Sequence, residues 1–365
     1  MLTNKKTLKT ICITGTHHTP AVELIKQLQN DPETSWKIEY IGHIYPTENH
    51  ILRTIIPKLK TNFHQINGGK LDRRWLPNTI CGIPKTIKAI FASIKLIKKI
   101  KPDIIVSFGG YISVPVVIAG FLHHIPIITH EQTLTISLST KINSYFVNKI
   151  ALSFKESVSN SNFPVNKTIV TGNLIRSDIY QKESLKYKAL NSIIGRYPLL
   201  YITGGNQGST PINKIIEKTI DKLSKKYTII HHTGKIDYSH FKEKFAHENN
   251  YYPTEFVDLE DIGWVLNNAR VIISRSGANI CQEIVTLKKS SILVPLPISQ
   301  QNEQLLNADW TKKNLPLQTI IIHQPQLTPK RIIRSIAKLE NITINTDDNQ
   351  YKPNQKLLNL IYETI

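Results

Sequence analysis

The chain has 365 residues, with 46 Lys+Arg against 27 Asp+Glu and a formal net charge of +19. Hydrophobic residues at 40% and aromatics at 8% exclude disorder, collagen and a disulfide mini-scaffold, and the length allows about two domains with full cores. The charge implies an acidic partner (nucleic acid, an anionic membrane or a phosphorylated substrate), although a Lys-biased composition accounts for part of it.

The N-terminal stretch MLTNKKTLKTICITG is basic but holds no apolar run of signal-peptide length, and no stretch is long enough to span a bilayer. A cytoplasmic protein is expected. Cys12, Cys81 and Cys281 are far apart and form no C-x-x-C, so no zinc or redox motif is read.

In chain order, ICIT (11–14) reads as a strand that runs into TGTHHTP (14–20) and the helical AVELIKQLQN. WKIEYIG (36–42) is a second strand. PKTIKAIFASIKLIKKIK (84–101) is helical, with Ile87, Ile90, Phe91, Ile94 and Ile97 on a face expected to pack on the sheet. IIVSF (104–108) is a strand closed by Gly109-Gly110, VPVVIAGFLHH a helix, and IPIITHEQ (125–132) a strand. The second half repeats the plan. PLLYIT (198–203) enters GGNQGST and the helical PINKIIEKTIDKLSKK, YTIIHHTG is a strand, ARVIISRSG (269–277) enters the helix ANICQEIVTLKK, and SSILVPLP is a strand.

Strands alternating with helices predict a parallel sheet, and two such series predict two doubly wound α/β domains. The join falls near 163–178. The expected domains are 1–172 and 173–349, with a helix at about 350–365 packing back on the first.

GGNQGS (204–209) follows a strand and opens a helix. Its glycines let backbone N–H groups approach a phosphate, and the helix N-terminus favours the negative charge. It is neither G-x-G-x-x-G nor a Walker A loop. TGTHHTP is the matching loop of the first half. His17 and His18 fall at the C-terminal edge of the sheet, where a histidine can act as general base. A metal reading is weaker, because no third ligand has fixed spacing. Glu283, one to two turns into the helix after SRSGAN (274–279), could accept hydrogen bonds from a ribose diol. QQNEQLLN (300–307) is dense in amides and carboxylates, as a sugar site would be.

The cations are not spread evenly. Residues 53–101 hold twelve Lys/Arg and one acid, Asp72, where an even share of the net charge would be about 2–3. Trp75, Leu76, Ile80 and Ile83 are interleaved. A basic surface with exposed apolar residues suits an anionic membrane, and no nucleic-acid-binding motif accompanies it.

Taken in series, the loops resemble the MurG family of glycosyltransferases (glycosyltransferase family 28, GT-B fold). The resemblance is carried by GTHHTP (15–20), PDIIVSFGGYISVP (102–115), HEQT (130–133), GNLIR (172–176), GGNQG (204–208), HHTGK (231–235), FVDLE (256–260), RSGANICQE (275–283) and PLPISQQNEQLLNA (295–308), and it covers roughly residues 10–320. It implies two Rossmann-like domains facing across a cleft and an inverting transfer of GlcNAc from UDP-GlcNAc to lipid I, giving lipid II for peptidoglycan. His17 would be the general base. Arg176, Gly204, Gly205, Asn206 and Gln207 would hold the UDP diphosphate, Val257 the uracil, Glu283 the ribose, and Glu303, Gln304 and Asn307 the GlcNAc. Thr14, Gly15, Thr16, His18, Gly109, Gly110, Tyr111 and Thr133 would face the lipid-linked diphosphate acceptor. Arg73, Arg74, Trp75, Leu76, Lys85 and Lys88 would meet the membrane.

No cofactor or metal is expected to be required. The expected location is the cytoplasmic face of the plasma membrane, as a peripheral protein. Thr16 stands where the family has Gly, Val114 where it has Gly, Thr133 where it has Asn and Asn206 where it has Ser. Most departures lie on the acceptor side. Another polyprenyl or glycolipid acceptor, or a non-catalytic GT-B protein that binds ligand or membrane, therefore remains open.

Overall fold

The computed structural model describes residues 6–44, 56–69, 76–159, 161–184, 186–205, 207–342 and 355–365, with only the backbone of 76–81 and 300. The chain divides into two compact units, Met1–Arg176 with Pro353–Ile365, and Ser177–Lys352. Each is built on one parallel sheet.

In unit 1 the strands are β1 (Thr7–Thr14), β2 (Thr34–Gly42), β3 (Asn62–Gln65), β4 (Ile104–Ser107), β5 (Ile127–Glu131), β6 (Lys149–Leu152) and β7 (Thr168–Val170). Their order is β3-β2-β1-β4-β5-β6-β7. Both faces of this sheet are covered, and the side-chain alternation of a strand sorts the residues. Ile11, Ile13, Ile104 and Val106 enter one apolar cluster, with the helix His18–Gln29. Cys12, Ile105 and Ile127 enter the other, with the helices Leu76–Ile100 and Ser113–Leu122. Each such Ile contributes about 1.5–3 kcal/mol of burial.

The C-terminal helix Lys356–Thr364 belongs to unit 1. It inserts Leu357, Leu360 and Ile361 into the first cluster. The Tyr362 hydroxyl donates to Asp31, whose other oxygen receives the Glu33 N–H at 2.9 Å.

Unit 2 has β8 (Leu199–Thr203), β9 (Thr228–His232), β10 (Tyr251–Thr254), β11 (Ala269–Ser274), β12 (Ser291–Leu293) and β13 (Thr319–Ile321), in the order β10-β9-β8-β11-β12-β13. The two units repeat one register. Thr14 of β1 pairs with Ser107 of β4, and Thr203 of β8 pairs with Ser274 of β11. In both sheets the strand order reverses between those two strands, and ligands of doubly wound sheets bind at that point.

Two readings of the helices are corrected. The predicted helix 84–101 starts earlier, at Leu76, and carries Pro84 inside it. Its Ile/Phe stripe does not all face the sheet: Ile87 is 48% and Phe91 63% exposed, and Ile83 is exposed as well. The inward face is Ala89, Ser93 and Ile97, spaced four apart. Small residues there let the helix lie close to its neighbours and turn the bulky Ile83/Ile87/Phe91 line outward. The predicted helix 211–226 is two pieces, Thr210–Glu217 and Ile220–Leu223, with the Thr219 hydroxyl turned back to the Ile216 carbonyl at the break.

Candidate functional site

In unit 1 the β1 and β4 loops are stitched together. The Phe108 N–H donates to the Thr14 carbonyl at 2.7 Å, and the Thr16 N–H to the Gly109 carbonyl at 3.1 Å. Gly15 is required at the crossing. Its φ is +139°, and a Cβ there would lie 2.8 Å from the Phe108 carbonyl carbon. The Gly109 and Gly110 N–H groups are turned inward, onto Ser107 Oγ at 3.3 Å and Ser139 Oγ at 2.8 Å. Thr16 lies directly over Gly110, and a Cβ on Gly110 would be 2.0 Å from Thr16 Oγ1. Tyr111 is half-buried and packs on the second cluster.

His17 precedes the first helix in extended conformation, and a Cβ on Gly109 would lie 3.8 Å from its Cδ2. Burial lowers its pKa from the ordinary histidine value, and the Glu131 carboxylate acts against that fall. Glu131 is buried at the end of β5. It receives the Thr133 N–H at 3.2 Å and the Ser137 N–H at 2.9 Å. His18 is different. Its Nδ1 lies 2.9 Å from the Tyr40 hydroxyl, and burial, with the His17 charge second, pushes its pKa down to about 4. His130, in the same core, has Nε2 3.1 Å from the Gly172 carbonyl, and burial lowers it too. The structure therefore places His17, Thr14, Gly15 and Thr16 together with Gly109, and gives His18 an internal partner. Thr133 is buried with its hydroxyl 2.8 Å from Glu131 Oε1, so its side chain braces that carboxylate.

In unit 2 the loop after β8 packs backbone to backbone on the loop after β9. A Cβ on Gly208 (φ +79°) would lie 2.0 Å from the Thr233 carbonyl oxygen, and one on Gly234 2.2 Å from the Gln207 carbonyl oxygen. The Gly205 N–H donates to Thr203 Oγ1 at 3.1 Å, and the outer face of Gly205 meets nothing within 4 Å. Gly204 sits against the Gly208–Ser209 backbone. Asn213, in the helix Thr210–Glu217, donates to the Thr233 carbonyl at 2.8 Å and to Asp237 at 2.7 Å. These bonds hold the helix N-terminus at the mouth of the loop, a ready anion site. Asn206 lies outside the described residues, as do Arg73, Arg74 and Trp75 and the side chain of Leu76.

Arg275 opens the RSGAN segment after β11. It is buried, yet it is bonded on every side by neutral groups. Its Nε donates to Ser209 Oγ at 3.0 Å, Nη1 to the carbonyls of Val294 and Pro295 at 3.1 and 3.3 Å, and Nη2 to Gln324 Oε1 at 2.8 Å. Burial lowers its pKa. It is thus a buried cation tied to the phosphate-type loop through Ser209. No local pattern announces it, because its partners are 19 to 66 residues away. Arg176 closes unit 1.

Glu283 is buried in the helix Ala278–Thr286, not on a solvated face. Gln304 Oε1 receives the Leu296 N–H at 3.1 Å, and the Ser276 hydroxyl donates to the Gln304 carbonyl at 2.7 Å. Asn307 donates to the Ser276 carbonyl at 3.1 Å, and its buried Oδ1 has no hydrogen-bond partner. Gln301 and Asn302 are both left-handed, with φ of 52° and 55°, and they lead into the helix that carries Glu303, Gln304 and Asn307. Such backbone is costly for residues other than glycine and concentrates at ligand sites. Val257 is buried just after β10. Lys85 and Lys88 are exposed beside Ile87. Among the described residues no group of three His, Cys, Asp or Glu is placed to hold a metal ion.

Comparison with known proteins gives a consistent picture. The model of the glycosyltransferase family 28 N-terminal domain matches residues 10–152, and that of the family 28 C-terminal domain matches residues 199–359. A UDP-N-acetylglucosamine--N-acetylmuramyl-(pentapeptide) pyrophosphoryl-undecaprenol N-acetylglucosamine transferase of Clostridium kluyveri is 33% identical over 97% of this chain and 99% of its own. The protein of that name from Clostridium novyi is 34% identical over 88% of this chain and 87% of its own. Among solved structures, Acinetobacter baumannii MurG superposes with a TM-score of 0.63 at 20% identity, covering 97% of this chain and 99% of that one. A UDP-GlcNAc 2-epimerase of Neisseria meningitidis bound to UDP-GlcNAc superposes with 0.65 at 14% identity, covering 97% and 99%. These likenesses show the GT-B fold.

Proposed function

The chain belongs to glycosyltransferase family 28, and from that membership we infer that it is a UDP-N-acetylglucosamine-dependent glycosyltransferase. It moves GlcNAc from UDP-GlcNAc to the muramoyl 4-hydroxyl of undecaprenyl-diphospho-MurNAc-pentapeptide, lipid I, to form lipid II in peptidoglycan synthesis. The observation that carries this reading is the full-length identity of 33% to the Clostridium kluyveri transferase.

The site geometry supports a division of labour. Neutral His17 accepts the proton of the acceptor hydroxyl as that oxygen attacks C1 of GlcNAc. The C1–oxygen bond to the β-phosphate breaks, UDP leaves, and the α-linked sugar becomes β-linked. The negative charge on departing UDP is met by the loop Gly204–Ser209 and the N-terminus of the helix Thr210–Glu217, with Arg275 behind it. Fixed donors and cations of this kind stabilise the leaving group without a metal ion. Glu283 holds the ribose diol, Val257 lies against uracil, and Gln304, Glu303 and Asn307 read the sugar hydroxyls. The orphaned Asn307 Oδ1 is suited to accept one of them.

The protein acts as a peripheral enzyme at the cytoplasmic face of the membrane that holds its acceptor. The outward line Ile83, Ile87 and Phe91, flanked by exposed Lys85, Lys88 and Lys95, supports contact with an anionic bilayer. No helix among the described residues is long and apolar enough to cross a membrane. The acceptor is tested by initial rates on a panel of polyprenyl-diphospho-sugars. Lipid I is expected to be the best substrate, and a faster rate on another member would overturn the assignment.

A further inference from the structure

All strands of a parallel sheet start at one edge. In unit 2 the donor-side loops leave the opposite, C-terminal edge. The starting edge is lined with cations. Arg196 precedes β8, Lys225 and Lys226 precede β9, Arg270 is the second residue of β11, and Lys288 and Lys289 precede β12. Lys312 reaches the start of β13, where its Nζ donates to the Thr319 carbonyl at 2.6 Å, and Lys313 follows it, exposed. Lys338 arrives there from the helix Pro329–Leu339, within electrostatic reach of Lys312.

Among the described residues Glu340 receives the Tyr227 hydroxyl and Glu248 the Ser224 hydroxyl, and exposed Asp221 stands in the short helix before Lys225. None of the cations named is in an ion pair among the described residues. Glu255, Asp258, Glu260 and Asp261 lie beyond the far end of β10, so unit 2 is polarised.

The cations also crowd one another. Burial and then the Lys338 charge lower the Lys312 pKa, and burial and then the Arg270 charge push Lys289 down to about 8. Arg270 and Lys289 are turned inward, onto the carbonyls of Glu340 and of Asn267 and Ala269, whereas Arg196, Lys225, Lys226 and Lys313 are exposed and face an external anion. Leu317, 72% exposed, stands in the loop between Lys313 and β13. It is aliphatic, not an aromatic platform on which bases stack. An aliphatic side chain among lysines suits the boundary between headgroups and acyl chains.

We propose that the strand-start edge of unit 2, centred on Lys225, Lys226, Lys312, Lys313 and Leu317, is a second docking surface for anionic lipid headgroups, in addition to the Ile83/Ile87/Phe91 face of unit 1. Strands are spaced about 4.8 Å apart, so the row from β9 to β13 runs about 20 Å and meets several headgroups at once. The surface involves no residue of the transfer site.

The test is flotation of the full chain with vesicles of phosphatidylcholine alone or with about one-third phosphatidylglycerol, at low and high salt. The variant K225Q/K226Q/K313Q should lose partitioning onto the anionic vesicles by roughly fivefold per lysine, or about 100-fold in all. It should keep its melting temperature and its rate on a water-soluble acceptor. L317D alone should weaken binding by a smaller factor. F91D should leave a salt-sensitive residue of anionic binding that the triple change removes. Unchanged partitioning of the triple variant would overturn the proposal. So would loss of binding to RNA or to polyglutamate with vesicle partitioning intact, because the edge would then serve another class of partner. Flotation reads no catalysis, so its outcome stands apart from that of the transferase reading.

Discussion

The Nδ1 atom of His18 lies 2.9 Å from the Tyr40 hydroxyl, which in turn reaches the Gly15 carbonyl at 3.4 Å. One member of the His17-His18 pair is thereby committed to the core of unit 1. The other is left beside Gly109, within reach of the Glu131 charge. The base role is therefore proposed for His17 and not His18. His17→Ala should lower kcat by about 10²–10⁴ with UDP affinity unchanged. His18→Ala should mainly lower the melting temperature. Comparable kcat losses in both, with UDP affinity intact, would remove the distinction.

The pH dependence follows from burial. His17 is held neutral below the ordinary histidine range, so kcat/KM should be flat through neutrality and fall only on acidification below about pH 6.5. Stability has the same sign. His18 titrates near 4 and His231 near 3 in the fold but near 6.5 unfolded, so the unfolded chain binds more protons between those values. Stability should fall as pH drops from 6.5 toward 3, by on the order of 3–5 kcal/mol for each group. A melting temperature that rises on acidification through this window would contradict the assignment.

Arg275 is predicted to be the cation that couples the donor loops. Arg275→Ala leaves Ser209 and Gln324 without their donor and empties a buried site. It should raise the donor KM about tenfold or more and cost roughly 3 kcal/mol of stability. Arg275→Lys should not restore the donor KM, because an ammonium cannot span the same set of acceptors. Calorimetry of UDP binding with each variant reads this directly.

Gly208→Ala should abolish donor binding. Its φ of +79° disfavours a side chain, and the new Cβ would sit 2.0 Å from a backbone oxygen that cannot move aside cheaply. Gly205→Ala keeps the backbone penalty, with φ +82°, but meets no neighbour within 4 Å. It should be the milder change by at least 1 kcal/mol, as read by urea unfolding.

Chelation should leave the transfer rate within about twofold of the untreated enzyme, if helix dipole and Arg275 stabilise the leaving group as proposed. A rate that collapses in EDTA and returns with added Mg²⁺ would require a metal in the account.

Much of this architecture was legible in the sequence where the chemistry is local. The central strands are continuous apolar runs because both sheet faces are covered, and the Gly loops after β1, β4 and β8 stand out because close backbone approach or a positive φ demands glycine. The edge strands were not legible. Asn62–Gln65 has one apolar residue and Tyr251–Thr254 contains a proline, so neither carries a strand signal on its own. The outward turn of Phe91 was hidden because the helix Leu76–Ile100 has two apolar lines, and only packing decides which is buried. The tie from Thr133 to Glu131 is local, yet a threonine two residues after a glutamate carries no signal of it. Arg275 depends wholly on tertiary neighbours.

Sugar transfer to a lipid-linked acceptor is proposed here for a fold that a UDP-GlcNAc 2-epimerase also adopts. The most direct test follows radiolabel from UDP-GlcNAc in the presence of vesicle-borne lipid I. Label is expected in a disaccharide-lipid with one UDP released per sugar moved, and none of this with His17→Ala. Label recovered only as UDP-GlcNAc or its 2-epimer, with the lipid fraction unlabelled, would contradict it.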